Sequence, residues 1–425
     1  MDGSAKSMQR EMLFFERFMY VDGVTPINCI MTARLRGALS LEALRAALDA
    51  VQRKHPLLRA RVVIEHGAPH FVIDERTAAV PVRVVERLME TSWQSVTEQE
   101  WMTPYDAMHG PLLRLVWLRG KDISELMFVA HHCICDGGSI MMLIREVLQC
   151  MDEPATVLEP YESYATIEDL VPAEMLQDKQ LQHRVRRKAL LFRTFLAIMG
   201  RRAKRPIGQP YALYWTADRE HFAAINQRCT AEGTNAYAAL CVAFLLAFRQ
   251  VQGKRAKNKL MCPVSIRRYV RAVKADTMFS FAPTVELSLE DELQSFWAAA
   301  RVMKNSLGQK IESMKVYDEL LLGQKMRAST DRLVNFMRAS KGGHDLAFSN
   351  VGRIRIAPTY KSFTVEAIVG ATVAVPWRNA NTLISTQFQG EMALNFLSND
   401  GFLPRDEAVA IQQNALQLLQ QAMSS

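Results

Sequence analysis

At 425 residues the chain is long enough for two domains, or one large one, with a sizeable core, and its 49% hydrophobic and 23% charged residues are ordinary for a folded soluble protein. The longest apolar segment, residues 238–248, is too short to cross a bilayer and reads as a buried helix, and residues 1–10 lack the apolar stretch of a signal peptide, so a cytoplasmic protein is expected. The formal net charge of +8 is uneven along the chain, which points to a local docking face.

In chain order, residues 29–34 can form a strand, and Ser40 caps a helix with Leu41, Leu44, Leu48 and Val51 on one face. Pro56 ends that helix, residues 57–63 continue as strand, and 112–118 form another. Residues 126–130 are a continuous apolar run, as in a strand buried on both faces. Ser139 opens a helical pattern, with Ile140, Leu143, Ile144, Val147 and Leu148 on one face. Acidic, proline-containing sequence over 152–174 closes this first region.

Residues 184–205 then carry Arg184, Arg186, Arg187, Lys188, Arg193, Arg201, Arg202, Lys204 and Arg205 with no acid, interleaved with Leu190, Leu191, Phe192, Phe195, Leu196 and Met199. This basic amphipathic segment reads as a solvated linker, as a docking face for an acidic or phosphorylated partner, or, as the lesser alternative, as a membrane-surface contact. Nucleic acid is not expected, because no binding motif accompanies the charge. Residues 206–210 mark a break. Beyond it Thr234 can cap a helix through 238–248, residues 260–265 and 285–289 read as strands, and 291–307 as helix. Residues 347–351 and 363–369 are strand-like, 383–388 and 392–397 an antiparallel pair, and 406–423 a final helix. The reading is two α/β halves, 1–175 and 211–425, joined by a basic linker over 176–210.

The seven cysteines, Cys29, Cys133, Cys135, Cys150, Cys229, Cys241 and Cys262, include no CxxC pair and lie mostly in apolar contexts, as buried free thiols of a reducing compartment do. Cys133 and Cys135 beside two histidines suggest a metal set, but paired zinc ligands are usually spaced more widely, so no metal is expected.

The most informative stretch is His131-His132-Cys133-Ile134-Cys135-Asp136-Gly137, where the apolar strand ends and a helix begins. Successive strand side chains alternate, so one histidine projects into a cleft and the other into the protein. Imidazole is the side chain best suited to proton transfer near neutral pH. Gly137 and Gly138 allow close approach, and the helix N-terminus aims free N–H groups at the same space, which suits a developing oxyanion.

This stretch resembles the HHxxxDG signature of the acyltransferase superfamily that includes chloramphenicol acetyltransferases, condensation domains of nonribosomal peptide synthetases and stand-alone polyketide-associated acyltransferases. His55-Pro56-Leu57-Leu58-Arg59, Tyr105-Asp106 with Gly110-Pro111-Leu112-Leu113-Arg114, Pro263-Val264-Ser265-Ile266-Arg267 and Phe348-Ser349-Asn350-Val351-Gly352 look similar to further elements of its double-length members, in the same order. The chain lacks the DxxxxD replacement of heterocyclising relatives and the DFGWG element of the plant branch.

The resemblance implies an α/β (α+β) fold of two chloramphenicol acetyltransferase-like halves, a monomeric pseudo-dimer with a tunnel between them. It places His131, His132, Asp136 and Gly137 in the catalytic signature, with His132 as base and Asp136 in an ion pair for which Arg267 is the candidate. Gly138 and the Ser139 hydroxyl are oxyanion candidates, Asn350 a tunnel-lining candidate, and Arg186, Arg187 and Lys188 donor-docking candidates. The implied activity is acyl transfer to the hydroxyl or amine of a small-molecule acceptor in natural-product or lipid biosynthesis, without a bound cofactor. The donor is a thioester on coenzyme A or on a phosphopantetheinyl acyl or peptidyl carrier protein. A module that keeps the fold and recruits a carrier without chemistry is the alternative.

Overall fold

The computed structural model describes residues 7–199, 208–289 and 295–425. The first half runs β1 (Met8–Glu11), α1 (Phe14–Tyr20), β2 (Asn28–Gly37), α2 (Leu41–Lys54), β3 (Ala60–Glu65), β4 (Ala68–Ile73), β5 (Val82–Glu86), α3 (Ser92–Met102), β6 (Leu113–Arg119), β7 (Ile123–His131) and α4 (Gly137–Asp152). Then come α5 (Ala173–Gln177) and α6 (Lys179–Met199). The second half runs β8 (Pro210–Ala217), α7 (Arg219–Ala231), α8 (Ala236–Gln252), β9 (Lys259–Pro263), β10 (Thr284–Ser288), α9 (Phe296–Glu312), α10 (Val316–Met326), α11 (Thr330–Ala339), β11 (Leu346–Arg353), β12 (Phe363–Val373), β13 (Thr382–Phe388), β14 (Glu391–Asn399) and α12 (Arg405–Ser424).

Three sheets form, in the orders β1-β4-β3, β12-β2-β7-β6-β5 and β10-β9-β11-β13-β14-β8. The apolar run of β7 is buried from Ser124 to His131 because the strand sits in the middle of its sheet, between β2 and β6, with α3 and α4 packed against it. Its partner register places Cys29 opposite Ala130 and Asn28 opposite His131. In the second half α8, which is long and apolar enough to cross a membrane, is instead packed against α9 and α12, and its residues from Ala238 to Leu245 are buried.

The halves are not separable at residue 211. Strand β12, from the second half, completes the first half's sheet by pairing antiparallel with β2. The larger core accordingly mixes Phe128, Ile144 and Leu148 with Met278, Phe363, Val365 and Ile384. Most of the segment expected as a linker, 176–210, is the helix α6, which packs against α10 and α11. Residues 200–207, with Arg201, Arg202, Lys204 and Arg205, lie outside the described residues, as do 291–294.

Three boundaries differ from the periodicity, the first two for a capping reason. Helix α4 begins at Gly137, because Asp136 rather than Ser139 caps it. Helix α8 is capped by Asn235, whose side chain accepts from the Ala238 N–H, while the Thr234 hydroxyl donates to the Ala300 carbonyl. The stretch after Pro56 first forms a short 3-10 turn, Pro56–Arg59, before β3 begins.

Candidate active site

The signature forms the junction between β7 and α4. His131 ends the strand inside the protein, 4% exposed, with its ring against Tyr20 and Tyr105. Its Nδ1 accepts from the Cys133 N–H at 3.2 Å. Burial, with the neighbouring His132 and Arg114, lowers its pKa to about 3, so His131 stays neutral and structural.

His132 points the other way and is partly exposed. Its Nδ1 lies 2.7 Å from the Cys135 carbonyl. A carbonyl only accepts, so Nδ1 carries the proton and Nε2 is the basic nitrogen. Burial acts against the imidazolium, but the Cys29 sulfur beside the ring and the Cys135 carbonyl favour it and prevail, raising its pKa to about 9. Cys29 is in turn lowered to about 6 by the Cys135 thiol, against its burial, with help from His132. The strand register explains the contact, since Cys29 and His132 extend from the same face of β2 and β7. Sequence alone places Cys29 among inert buried thiols; only pairing of β2 with β7 brings it to the histidine.

Asp136 does two things. Its Oδ1 accepts the Ser139 N–H at 2.8 Å and the Ser139 hydroxyl at 3.0 Å, which caps α4. Its Oδ2 meets Arg267 Nη1 at 2.6 Å, across from the segment between β9 and β10. Arg267 also donates to Ser139 Oγ at 2.6 Å and to the carbonyls of Thr277 at 3.0 Å and Ala275 at 3.2 Å. The structure therefore brings Asp136, Ser139 and Arg267 together as a brace between the halves. Ser139 is fully buried and its hydroxyl is spent inside that brace, so it does not serve as an oxyanion donor.

Gly137 and Gly138 remain as donors. They are the first two residues of α4, both partly exposed, and their N–H groups have no partner among the described residues. A Cβ on Gly137 would stand 3.2 Å from Val351 Cγ2, and one on Gly138 3.3 Å from Asp136 Oδ1. Val351 reaches that point because β11 bulges between Asn350 and Gly352. Asn350 Oδ1 holds the bulge by accepting from the Gly352 N–H and the Ser385 hydroxyl, each at 3.0 Å, and Gly352 adopts a positive φ of 79°.

Asn350 and Arg267 line a cavity of about 610 Å³ with Tyr237, Val264, Leu307 and Ile311. Pro263 also lines a second cavity of about 820 Å³, with Phe15, Phe18 and Met19 of α1, Met261 and Trp377. Of the donor-docking candidates, Arg186 and Arg187 are exposed on α6, away from the signature, while Lys188 of the same helix lines the second cavity. Among the described residues no group of three or more His, Cys, Asp or Glu could hold a metal ion.

A further polar cluster joins residues far apart in the sequence. His55 Nε2 lies 2.6 Å from Glu146 Oε2, while Lys54 Nζ reaches Glu146 at 2.5 Å and Asp276 at 2.7 Å. A carboxylate on the buried face of α4 was the available signal.

The Condensation domain family model matches residues 4–257. A linear gramicidin synthase polypeptide of Brevibacillus parabrevis is 27% identical over 267 residues, which is 58% of this chain but only 5% of that synthetase. Trichothecene 15-O-acetyltransferase TRI3 of Fusarium sporotrichioides superposes with a TM-score of 0.75 at 15% identity, covering 98% of this chain and 95% of that one. The condensation domain of the monacolin K polyketide synthase MokA superposes with a TM-score of 0.70 at 14% identity, covering 98% of both chains. These likenesses establish the two-lobed chloramphenicol acetyltransferase-like fold. The chain belongs to the condensation-domain family.

Proposed function

We propose that this protein transfers an acyl group from a thioester, on a phosphopantetheinyl carrier protein or on coenzyme A, to the hydroxyl or amine of a small-molecule acceptor. The observation that carries the reading is the orientation of His132, with Nδ1 tied to the Cys135 carbonyl and Nε2 left as the basic nitrogen. Nε2 takes the acceptor's proton as its oxygen or nitrogen bonds to the thioester carbonyl carbon. The Gly137 and Gly138 N–H groups receive the developing oxyanion. Collapse breaks the carbon–sulfur bond, and the leaving thiolate takes the proton back from the imidazolium. No acyl-enzyme forms, and no bound cofactor is needed. Asp136 and Arg267 act by positioning, since they fix the start of α4 and the facing segment of the second half. Seven unpaired thiols support a reducing, cytoplasmic setting.

One observation favours the rival reading of a carrier-recruiting module without chemistry: an imidazole raised to about 9 is mostly protonated at neutral pH. The two are separated by incubating the protein with a panel of acyl thioesters and acceptors across pH, with thiol release and product mass as readouts. Acceptor-dependent thiol release that rises with pH is expected. Carrier binding with no thiol release at any pH would overturn the enzymatic reading.

A further inference from the structure

Two thiols stand beside His132 that acyl transfer does not consume. Cys29 lies opposite Ala130 in the antiparallel pairing of β2 with β7. His132 donates its N–H to the Ile27 carbonyl, on the β2 side, while His131 donates to Leu112 on the β6 side, so the Ala130 carbonyl also faces β2. Cys135 folds back over this strand end, with its Sγ 3.6 Å from the His131 carbonyl oxygen and 4.0 Å from that of Ala130. The Cys135 thiol thereby donates to the Cys29 sulfur, which also meets the His132 ring. The two thiols are unequal. Cys29 is 6% exposed and its thiolate is favoured by both contacts; Cys135 is fully buried, and its bond to Cys29 and its burial keep it protonated.

We propose that Cys29 and Cys135 form a thiol-oxidation site, at which a hydroperoxide closes a reversible disulfide beside His132. The Cys29 thiolate attacks a peroxide oxygen and the O–O bond breaks. The sulfur becomes a sulfenic acid, and the departing oxygen takes a proton from the His132 imidazolium and leaves as an alcohol, or as water from hydrogen peroxide. The Cys135 sulfur then attacks the sulfenic sulfur. The S–S bond forms, the S–O bond breaks, and the hydroxide leaves as water with the Cys135 proton. Two thiols lose two electrons in all, and one peroxide gains them. The link removes the sulfur that favours the imidazolium, and it draws on Cys135, whose carbonyl orients Nδ1. The disulfide itself is independent of the proposed activity; its effect on acyl transfer rests on the reading of His132 as base.

The test treats the full chain with hydrogen peroxide, alkylates the remaining thiols and maps the tryptic peptides by mass spectrometry. Residues 18–34 hold Cys29, and residues 122–145 hold Cys133 and Cys135. A disulfide joining these two peptides, and released by dithiothreitol, is expected in the wild type. C133S is expected to keep the link and C135S to lose it, with circular dichroism showing whether each is folded. Oxidation is expected to lower kcat/KM at least about tenfold, and dithiothreitol to restore it. Methionine oxidation is not reversed by dithiothreitol, so recovery separates the two lesions. Peroxide-treated wild type with no link between these peptides, or with a link through Cys133, overturns the proposal. An unchanged kcat/KM in the linked protein overturns the effect on the base. A protein that forms the link yet transfers no acyl group before oxidation refutes the proposed activity alone, and the oxidation site stands.

Discussion

The Asp136–Arg267 pair is where the two halves are tied at the signature, and its energetics follow from its geometry. Both side chains are about nine-tenths buried, at 12% and 11% exposure, and lie 2.6 Å apart. Substituting Arg267→Met leaves the Asp136 carboxylate without its cation, while Asp136→Ala leaves the guanidinium facing only Ser139 Oγ and two carbonyls. Breaking such a pair from one side costs about 3–5 kcal/mol. Asp136→Ala also removes the α4 cap, worth a further ~1 kcal/mol. The double variant loses the pair but strands neither charge, so it should be less damaged than the sum of the singles by about 2–3 kcal/mol. The assay is denaturant unfolding followed by tryptophan fluorescence. Additivity of the two singles to within about 0.5 kcal/mol would refute the reasoning.

The remaining predictions concern pH and packing. Because the Cys29 sulfur helps hold the His132 pKa near 9, kcat/KM should rise with pH toward that value as the imidazolium loses its proton. Cys29→Ala should move that limb to lower pH, and an unmoved limb would count against the contact. His131→Ala should cost about 2–4 kcal/mol, by opening a cavity between Tyr20 and Tyr105 and orphaning the Cys133 N–H; a loss below about 0.5 kcal/mol in an unfolding titration would contradict this. Asp276 is raised by burial but held well below the ordinary carboxylate range by Lys54 and Tyr161. Its stabilising share is present above the unfolded value of about 3.9 and is lost as pH falls below it. Lys54→Met should flatten that acid dependence, and unfolding midpoints measured across acid pH would show an undiminished slope if it does not.

The sequence pattern exposed the strand-to-helix junction because it is local. An apolar run, two histidines, Asp-Gly-Gly and an amphipathic helix all lie within about thirty residues, and that locality put His131 and His132 on opposite faces. The resemblance named His132 as the base; which of its nitrogens is basic depends on the Cys135 carbonyl, so that needed the fold. Arg267 was reachable only through resemblance, since 130 residues separate it from Asp136. Ser139 misled because its small hydroxyl near a helix start looks available; the cap at Asp136 turns it inward. The crossing of β12 into the first sheet was invisible, because pairing partners leave no periodic trace along a single strand. For α6, periodicity revealed the basic amphipathic character but not which apolar side chains the second half covers.

The central claim is that the imidazole at 132 is the base for acyl transfer. The most direct test is kcat/KM of purified, folded His132→Ala with a thioester and acceptor pair turned over by the wild type. The account predicts a loss of roughly 10²–10⁴ with little change in thermal stability. Activity within about threefold of wild type would contradict it.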